Sequence, residues 1–188
     1  MKNNAHLGES QEKRLKRFQD NPPVEAIETL LNSIDNYFNN EIRATVKDEQ
    51  YPQTSLMFLG IHAAILTISE AFFDDKSSAG YKLFLECFVD GKGQANKFSL
   101  IADEIHAWRN IVAHQWLSTK GHSLSYAYGL DVGWKKEDDV LHINPRIYCE
   151  QYLAAFKAGG KIWRYSELFS ASELDAVKQR IIAKFVRN

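Results

Sequence analysis

The stretch that decides the fold is FSLIADEIHAWRNIVAHQWL, residues 98–117. Its apolar residues recur every three or four positions, the spacing of one face of an α-helix. At about 100° per residue, one arc of that helix carries Ile101, Ile105, Trp108, Val112 and Trp116. We expect this arc to face a hydrophobic core, so the stretch predicts a helix packed inside a domain.

The opposite arc of the same helix is polar and carries Asp103, His106, Asn110 and His114. Arg109 lies between the two arcs, about 140° from His114 around the helix axis, so a straight helix does not bring the bases of these side chains together. Two facing copies of the helix would concentrate guanidinium and imidazole groups in one cleft. This geometry favours a site on a two-fold dimer interface.

Helical periodicity also runs through most of the rest of the chain. Asp20-Asn21-Pro22-Pro23 is a helix start, in which Asp20 or Asn21 is expected to cap the first free amides and proline to occupy the first turn. Asn144-Pro145 is another helix start, and Ser170 with Glu173 forms a capping-box pattern. Helices are predicted over residues 9–18, 24–42, 56–73, 81–88, 98–117, 145–159 and 170–186. The expected fold class is all-α, an antiparallel bundle of about five to seven helices.

A small β-hairpin is expected to interrupt the bundle near residues 123–143. Leu124, Tyr126, Tyr128 and Leu130 alternate with small or polar residues, which is the period of a strand. A polar turn is predicted at residues 135–138, followed by a second strand at residues 140–143.

Composition limits the class of protein. The chain has 188 residues, 45% of them hydrophobic, and a formal net charge of -1, which fits one domain, residues 1–188, with 1–8 as a loose tail. Cys87 and Cys149 lack a metal-ligand spacing, so no disulfide or zinc site is expected. The apolar run at 56–73 includes His62 and Glu70 and is interpreted as a core helix. A cytoplasmic protein without membrane association is expected.

Arg109, Asn110 and His114, late in an amphipathic helix, match the motif of the HEPN family position for position. The family motif is an Arg, a polar residue that is commonly Asn, then a few residues and a His, near the end of a helix in a small helical bundle. The chain resembles this family over roughly residues 22–187. The predicted hairpin near residues 123–143 lies outside the minimal family core and is expected to be an insertion.

The resemblance implies a cofactor-free, metal-independent endoribonuclease, often a toxin or phage-defence protein, usually a homodimer whose two motifs meet. It implies that His114 is the general acid/base, that Arg109 holds the scissile phosphate, and that Asn110 orients the phosphate or His114. The expected products are a 2′,3′-cyclic phosphate and a 5′-hydroxyl. An antitoxin protein is a possible partner, although Trp116 stands where the branch paired with nucleotidyltransferase antitoxins typically has Tyr.

Other interpretations stay open from sequence alone. The chain can be a non-catalytic HEPN module that binds nucleotide, RNA or a protein partner, or the motif can be a plain polar helix edge. His106 and Asp103 are candidate auxiliary or RNA-binding residues, and no metal site is expected. His62 is predicted to be a hydrogen-bonded core residue. Tyr126, Tyr128 and Trp134 either stack on unpaired bases or pack over the bundle.

Overall fold

The computed structural model describes residues 11–47, 54–92, 94–115 and 124–185. Its α-helices are α1 Gln11–Asp20, α2 Pro23–Ser33, α3 Asn40–Lys47, α4 Thr54–Phe73, α5 Ser78–Phe84, α6 Ala102–Gln115, α7 Pro145–Ala155 and α8 Ala171–Phe185. The π-helical segment Ile34–Asn39 joins α2 to α3, and the π-helical segment Leu85–Val89 continues α5. The 3₁₀ segment Phe98–Ile101 leads into α6, and another spans Lys161–Glu167. The described residues are mostly helical, as predicted.

The first long helix begins as predicted, and one of the two expected reasons is confirmed. Pro23 occupies its first turn, where a missing N–H costs nothing. The capping residue is Pro22, which makes no side-chain cap bond, so the expected cap from Asp20 or Asn21 is wrong. The corner between α1 and α2 is held instead by buried Lys178 of α8, whose Nζ donates to the carbonyl oxygens of Gln19 and Asn21 at 3.0 and 2.8 Å.

Two other predicted helix starts are confirmed. The Asn144 side chain accepts hydrogen bonds from the N–H groups of Arg146 and Ile147 and caps α7. At α8, the N–H of Ser170 donates to Glu173 Oε2 at 2.7 Å, and the N–H of Glu173 donates back to Ser170 Oγ at 3.4 Å. This is the reciprocal capping box that the sequence predicts.

Helix α4 lies at the centre of the bundle and packs against α5, α6, α7 and α8. Its Ile61, Ile65 and Ile68 are fully buried, in a core that extends from Phe18 to Ile182. The segment Ser55–Phe73 is long and apolar enough to cross a membrane, but 56% of that window is buried within the protein. That burial is consistent with the core helix of a soluble protein.

The β-structure is a three-stranded sheet rather than the predicted two-stranded hairpin. Strands β1 Leu124–Tyr126, β2 Trp134–Glu137 and β3 Val140–Ile143 are arranged in the order β1-β3-β2. The hairpin is formed by β2 and β3, while β1 pairs with β3 in parallel. Residues 135–137, predicted as a turn, therefore lie in a strand, and the turn is Asp138-Asp139 with positive φ at both residues.

Candidate functional site

The motif helix is held at its beginning by a buried carboxylate from the preceding segment. Asp90 is 5% exposed, and its two oxygens accept hydrogen bonds from the N–H groups of Phe98 and Ser99 at 2.9 and 3.3 Å. These amides have no partner inside the helix, so Asp90 acts as a remote cap. It fixes the start of the helical run that carries Arg109 to His114 on α6.

The predicted core arc of α6 is confirmed for the residues whose side chains are described. Ile101 and Ile105 are buried, and Trp108 is half-buried. The indole N–H of Trp108 donates to the Tyr126 hydroxyl at 3.1 Å, which ties α6 to strand β1. This contact sets the rotation of the helix, and so determines where Arg109, the next residue, is placed.

The predicted polar arc is only partly exposed to solvent. Asp103 is exposed, as expected for that arc. His106 is half-buried, with its ring centroid 5.0 Å from that of His62 and 6.3 Å from that of Tyr81. His106 is not fully exposed, because α6 packs against both α4 and α5, and its predicted auxiliary or RNA-binding role remains a prediction.

His62 of α4 is buried, as predicted, with 1% of its surface exposed. Its ring stacks on Tyr81, whose hydroxyl is hydrogen-bonded to that of Tyr148. The expected hydrogen bonds of His62 are not found, since neither ring nitrogen has a partner among the described residues. Nδ1 of His106 is also buried without a partner in this part of the chain. Buried polar atoms of this kind are uncommon and mark a position for functional scrutiny.

The pKa values of His62 and His106 are both affected by Arg109. Burial, and to a smaller extent the nearby His106 and Arg109, lower the pKa of His62 to about 3. The pKa of His106 is also lowered, chiefly by burial and then by Arg109, against an opposing effect of Asp103. At neutral pH the group therefore combines one permanent cation with two neutral imidazoles.

A small cavity of about 10 Å³ lies between α4 and α6. The surface that faces this cavity is apolar, and its lining residues are Ser55, Phe58, Leu59, His62, Ile105, Trp108 and Arg109. A volume of ~10 Å³ is close to the lower limit for one water-sized group. We call His62, His106 and Arg109, together with this cavity, the imidazole–guanidinium niche.

The remaining candidate residues are the last two motif residues and the three aromatic residues of the sheet region. The side chains of Asn110 and His114 lie outside the described ones, so their predicted roles remain predictions, although the helix backbone at both positions is described. Tyr126 and Trp134 are half-buried and packed against the core, whereas Tyr128 is 43% exposed. Among the described residues, no group of three or more His, Cys, Asp or Glu side chains is placed to hold a metal ion.

The predicted site residues are thus brought together only in part. His106 and Arg109 share the niche, and Asp103 lies at its exposed border on the same helix. His62 is the member that sequence analysis did not include. The available signal was a lone imidazole inside the most apolar helix of the chain, 44 residues before its neighbour His106.

Comparisons with protein-family models, with curated proteins and with solved structures gave no significant match.

Proposed function

We propose that this protein is a metal-independent endoribonuclease of the HEPN type, active as a homodimer in the cytoplasm. The observation that carries the proposal is the placement of Arg109, on a helix anchored at its start by Asp90, beside the neutral imidazoles of His62 and His106. A guanidinium in a half-buried setting attracts a phosphate more strongly than one in bulk water. The sequence match of Arg109, Asn110 and His114 to the HEPN motif gives the reaction class.

In the proposed reaction, the 2′-oxygen of a ribose attacks the adjacent phosphorus and the bond from phosphorus to the 5′-oxygen breaks. His114 takes the proton of the 2′-hydroxyl, and a solvent water molecule protonates the 5′-oxygen that leaves; the hydroxide left by that water then takes the proton from His114, so that each site uses one histidine. Arg109 stabilises the negative charge that grows on the phosphoryl oxygens. The products are a 2′,3′-cyclic phosphate and a 5′-hydroxyl.

The test is incubation of the purified protein with a labelled RNA of mixed sequence in EDTA. We expect cleavage with cyclic-phosphate ends by the wild type, and at least about a hundredfold less by Arg109→Ala and His114→Ala. His142→Ala is the matched control, because this histidine lies on β3, where its Nδ1 is hydrogen-bonded to Ser125. Equal cleavage by wild type and both motif variants, or no cleavage by any, contradicts the proposal.

The second candidate is a non-catalytic HEPN module that binds RNA, a nucleotide or a protein partner. One observation favours this binding function. The imidazoles of His62 and His106 have lowered pKa values, so they are neutral at neutral pH and poor proton donors for catalysis. RNA binding that is weakened by Arg109→Ala, measured by calorimetry without any turnover, would support this function instead.

The cellular role that we propose is that of a toxin or phage-defence nuclease, kept inactive by an antitoxin protein. This role follows from the HEPN resemblance alone. Expression of the wild type is expected to arrest growth of a bacterial host, and expression of His114→Ala is not. Growth arrest by both proteins, at equal levels of soluble protein, contradicts this role.

A further inference from the structure

A larger cavity lies between the end of α4 and the second half of α8, and none of its lining residues belongs to the niche. Its volume is about 190 Å³, and it is lined by Glu70, Ala71, Asp74, Arg180, Ala183 and Lys184. Sites for drug-sized ligands begin at roughly 300 Å³, so this cavity fits a ligand of only a few heavy atoms. Four of its six lining residues carry charged side chains, two of each sign.

Two of these four charged groups neutralise each other. The Lys184 ammonium forms an ion pair with the Glu70 carboxylate, which joins α8 to α4 beside the cavity. Together these two side chains carry no net charge. The kind of ligand is therefore selected mainly by the other two charged groups, Asp74 and Arg180.

Arg180 is held in one orientation by the end of α4. Its Nε donates to the carbonyl oxygen of Ala71 at 2.7 Å, and its Nη2 donates to that of Phe72 at 3.1 Å. These carbonyls belong to the last turn of α4, where the helix itself offers no donor, so Arg180 caps α4 from α8. Its third nitrogen, Nη1, lies on the other edge of the guanidinium and has no hydrogen-bond partner in the described part of the chain. Nη1 can therefore donate to a ligand.

Asp74 contributes a carboxylate to the same cavity. It directly follows α4 and has a φ of 58°, the left-handed conformation that ends many helices. Although Asp74 and Arg180 both line the cavity, they form no ion pair, so their charged atoms are more than 4.0 Å apart. One cavity thus has a carboxylate and a guanidinium that do not neutralise each other directly.

We propose that this cavity binds a small zwitterion of the α-amino-acid class. The carboxylate of the ligand accepts a hydrogen bond from Arg180 Nη1, and its ammonium group donates to the Asp74 carboxylate. A simple anion is attracted by Arg180 but repelled by Asp74, and a simple cation meets the opposite pair of effects. A ligand that carries both charges is attracted by both residues. This binding site is independent of the proposed ribonuclease function.

The test uses the intact protein labelled with ¹⁵N at arginine, with L-alanine as the probe. Acetate and methylammonium, which each carry one of its two charges, are the comparison probes. We expect L-alanine to shift the Nε–H signal of Arg180 and to raise the melting temperature as its concentration rises, because it binds a site formed by two packed helices. Acetate and methylammonium should each bind at least about fivefold more weakly than L-alanine.

Asp74→Asn removes the negative charge and keeps the size of the side chain. Asparagine also tolerates the left-handed backbone at this position, so the variant should fold. Asp175→Asn is the matched control, since Asp175 is an exposed residue of α8 that does not line the cavity. We expect the Kd for L-alanine to rise about fivefold in Asp74→Asn and to stay unchanged in Asp175→Asn.

Three results would overturn the zwitterion site. The first is an Arg180 signal that does not move up to the solubility limit of L-alanine, a measurement that needs no variant. The second is an equal Kd in Asp74→Asn and wild type. The third is acetate that binds as tightly as L-alanine, because the cavity would then be a simple anion site. RNA is absent from all of these measurements, so their failure leaves the ribonuclease proposal untouched.

Discussion

The imidazole of His62 lies flat on the ring of Tyr81, with the ring centroids 4.4 Å apart and the planes inclined by 12°. The Tyr81 hydroxyl in turn is hydrogen-bonded to that of Tyr148, so one buried chain of contacts joins α4, α5 and α7. His62 is the member of this chain whose polar atoms have no partner in the described structure. Substitution of His62 should therefore change the free energy of unfolding differently from substitution of Tyr81.

We expect His62→Phe to stabilise the fold by about 1 kcal/mol, because it removes unsatisfied buried nitrogens and keeps the stacked ring. Tyr81→Phe should have the opposite sign and destabilise by about 1 kcal/mol, because it leaves the Tyr148 hydroxyl without its partner. Urea denaturation of the three proteins at pH 7.5 measures both changes. A loss of stability in His62→Phe would show that its nitrogens make a stabilising contact.

The pH dependence of stability should also depend on His62. Its pKa is about 3 in the folded state, and about 6.5 in the unfolded chain. The unfolded state therefore binds the extra proton between these values, so stability from this group is complete above pH ~6.5 and is lost as pH falls toward 3. Burial, His106 and Arg109 are the causes.

Between pH 6 and 5 we expect the wild type to lose about 1 kcal/mol more stability than His62→Phe, by the same linkage. The comparison of the two proteins removes the contribution of carboxylates, which titrate in both. Parallel curves of unfolding free energy against pH would contradict the lowered pKa of His62. His142→Phe, which leaves the niche intact, should follow the wild type.

Most helices could be predicted because their signals are local. The apolar spacing of α6, the Asn144 cap and the Ser170–Glu173 capping box each lie within one segment of the sequence. The niche could not be predicted in the same way, because His62 and His106 meet only through packing of α4 on α6. Helical geometry identified the arc that carries His106, but it could not show that α5 covers one side of that arc.

The sheet shows the same limit. The charged residues Lys135 and Lys136 looked like a turn, yet they lie in β2 and pair with His142 and Leu141 of β3. The parallel pairing of β1 with β3 depends on contacts between distant segments, which an alternating pattern in one segment does not determine.

The true turn gives a prediction about backbone conformation. Asp138 and Asp139 have φ values of 47° and 62°, the left-handed region required at both centres of a type I′ hairpin turn. Asp139→Gly should stabilise the protein by about 0.5 kcal/mol, and Asp139→Val should destabilise it by about 1 to 2 kcal/mol. Thermal denaturation of both variants checks the signs. Equal melting temperatures would mean that this hairpin opens before the main transition.

Asn144 links the sheet region to α7 and should be sensitive to substitution. Its Oδ1 caps α7, while its Nδ2 donates to the carbonyl oxygens of Tyr128 and Leu130 at 3.2 and 2.7 Å. Asn144→Ala is expected to cost about 2 to 4 kcal/mol through the lost cap and the two lost hydrogen bonds. Asn144→Asp keeps the cap but not the donor, so it should lower the free energy of unfolding less than Asn144→Ala does. Urea denaturation measures both changes. Equal losses would indicate that the cap contributes little.

The final prediction concerns the proposed dimeric ribonuclease. Arg109 and His114 are about 140° apart around the axis of α6, so a shared site takes its arginine from one protomer and its histidine from the other. Arg109→Ala and His114→Ala proteins are each expected to be inactive. When equal amounts of the two variants are unfolded together and refolded, half of the dimers are mixed. Each mixed dimer has two sites, and one of them has both its arginine and its histidine. RNA cleavage should therefore return to about a quarter of the wild-type rate.

A matched control for this experiment is the same mixture kept below the temperature at which protomers exchange, which should stay inactive. His142→Ala mixed with wild type should show the full rate at every ratio. No recovery in the refolded mixture, with dimers present by size-exclusion chromatography, would place the arginine and the histidine of each site in the same protomer. The long stem of Arg109 would then have to span the angular gap on one helix, and each protomer would hold a complete site of its own.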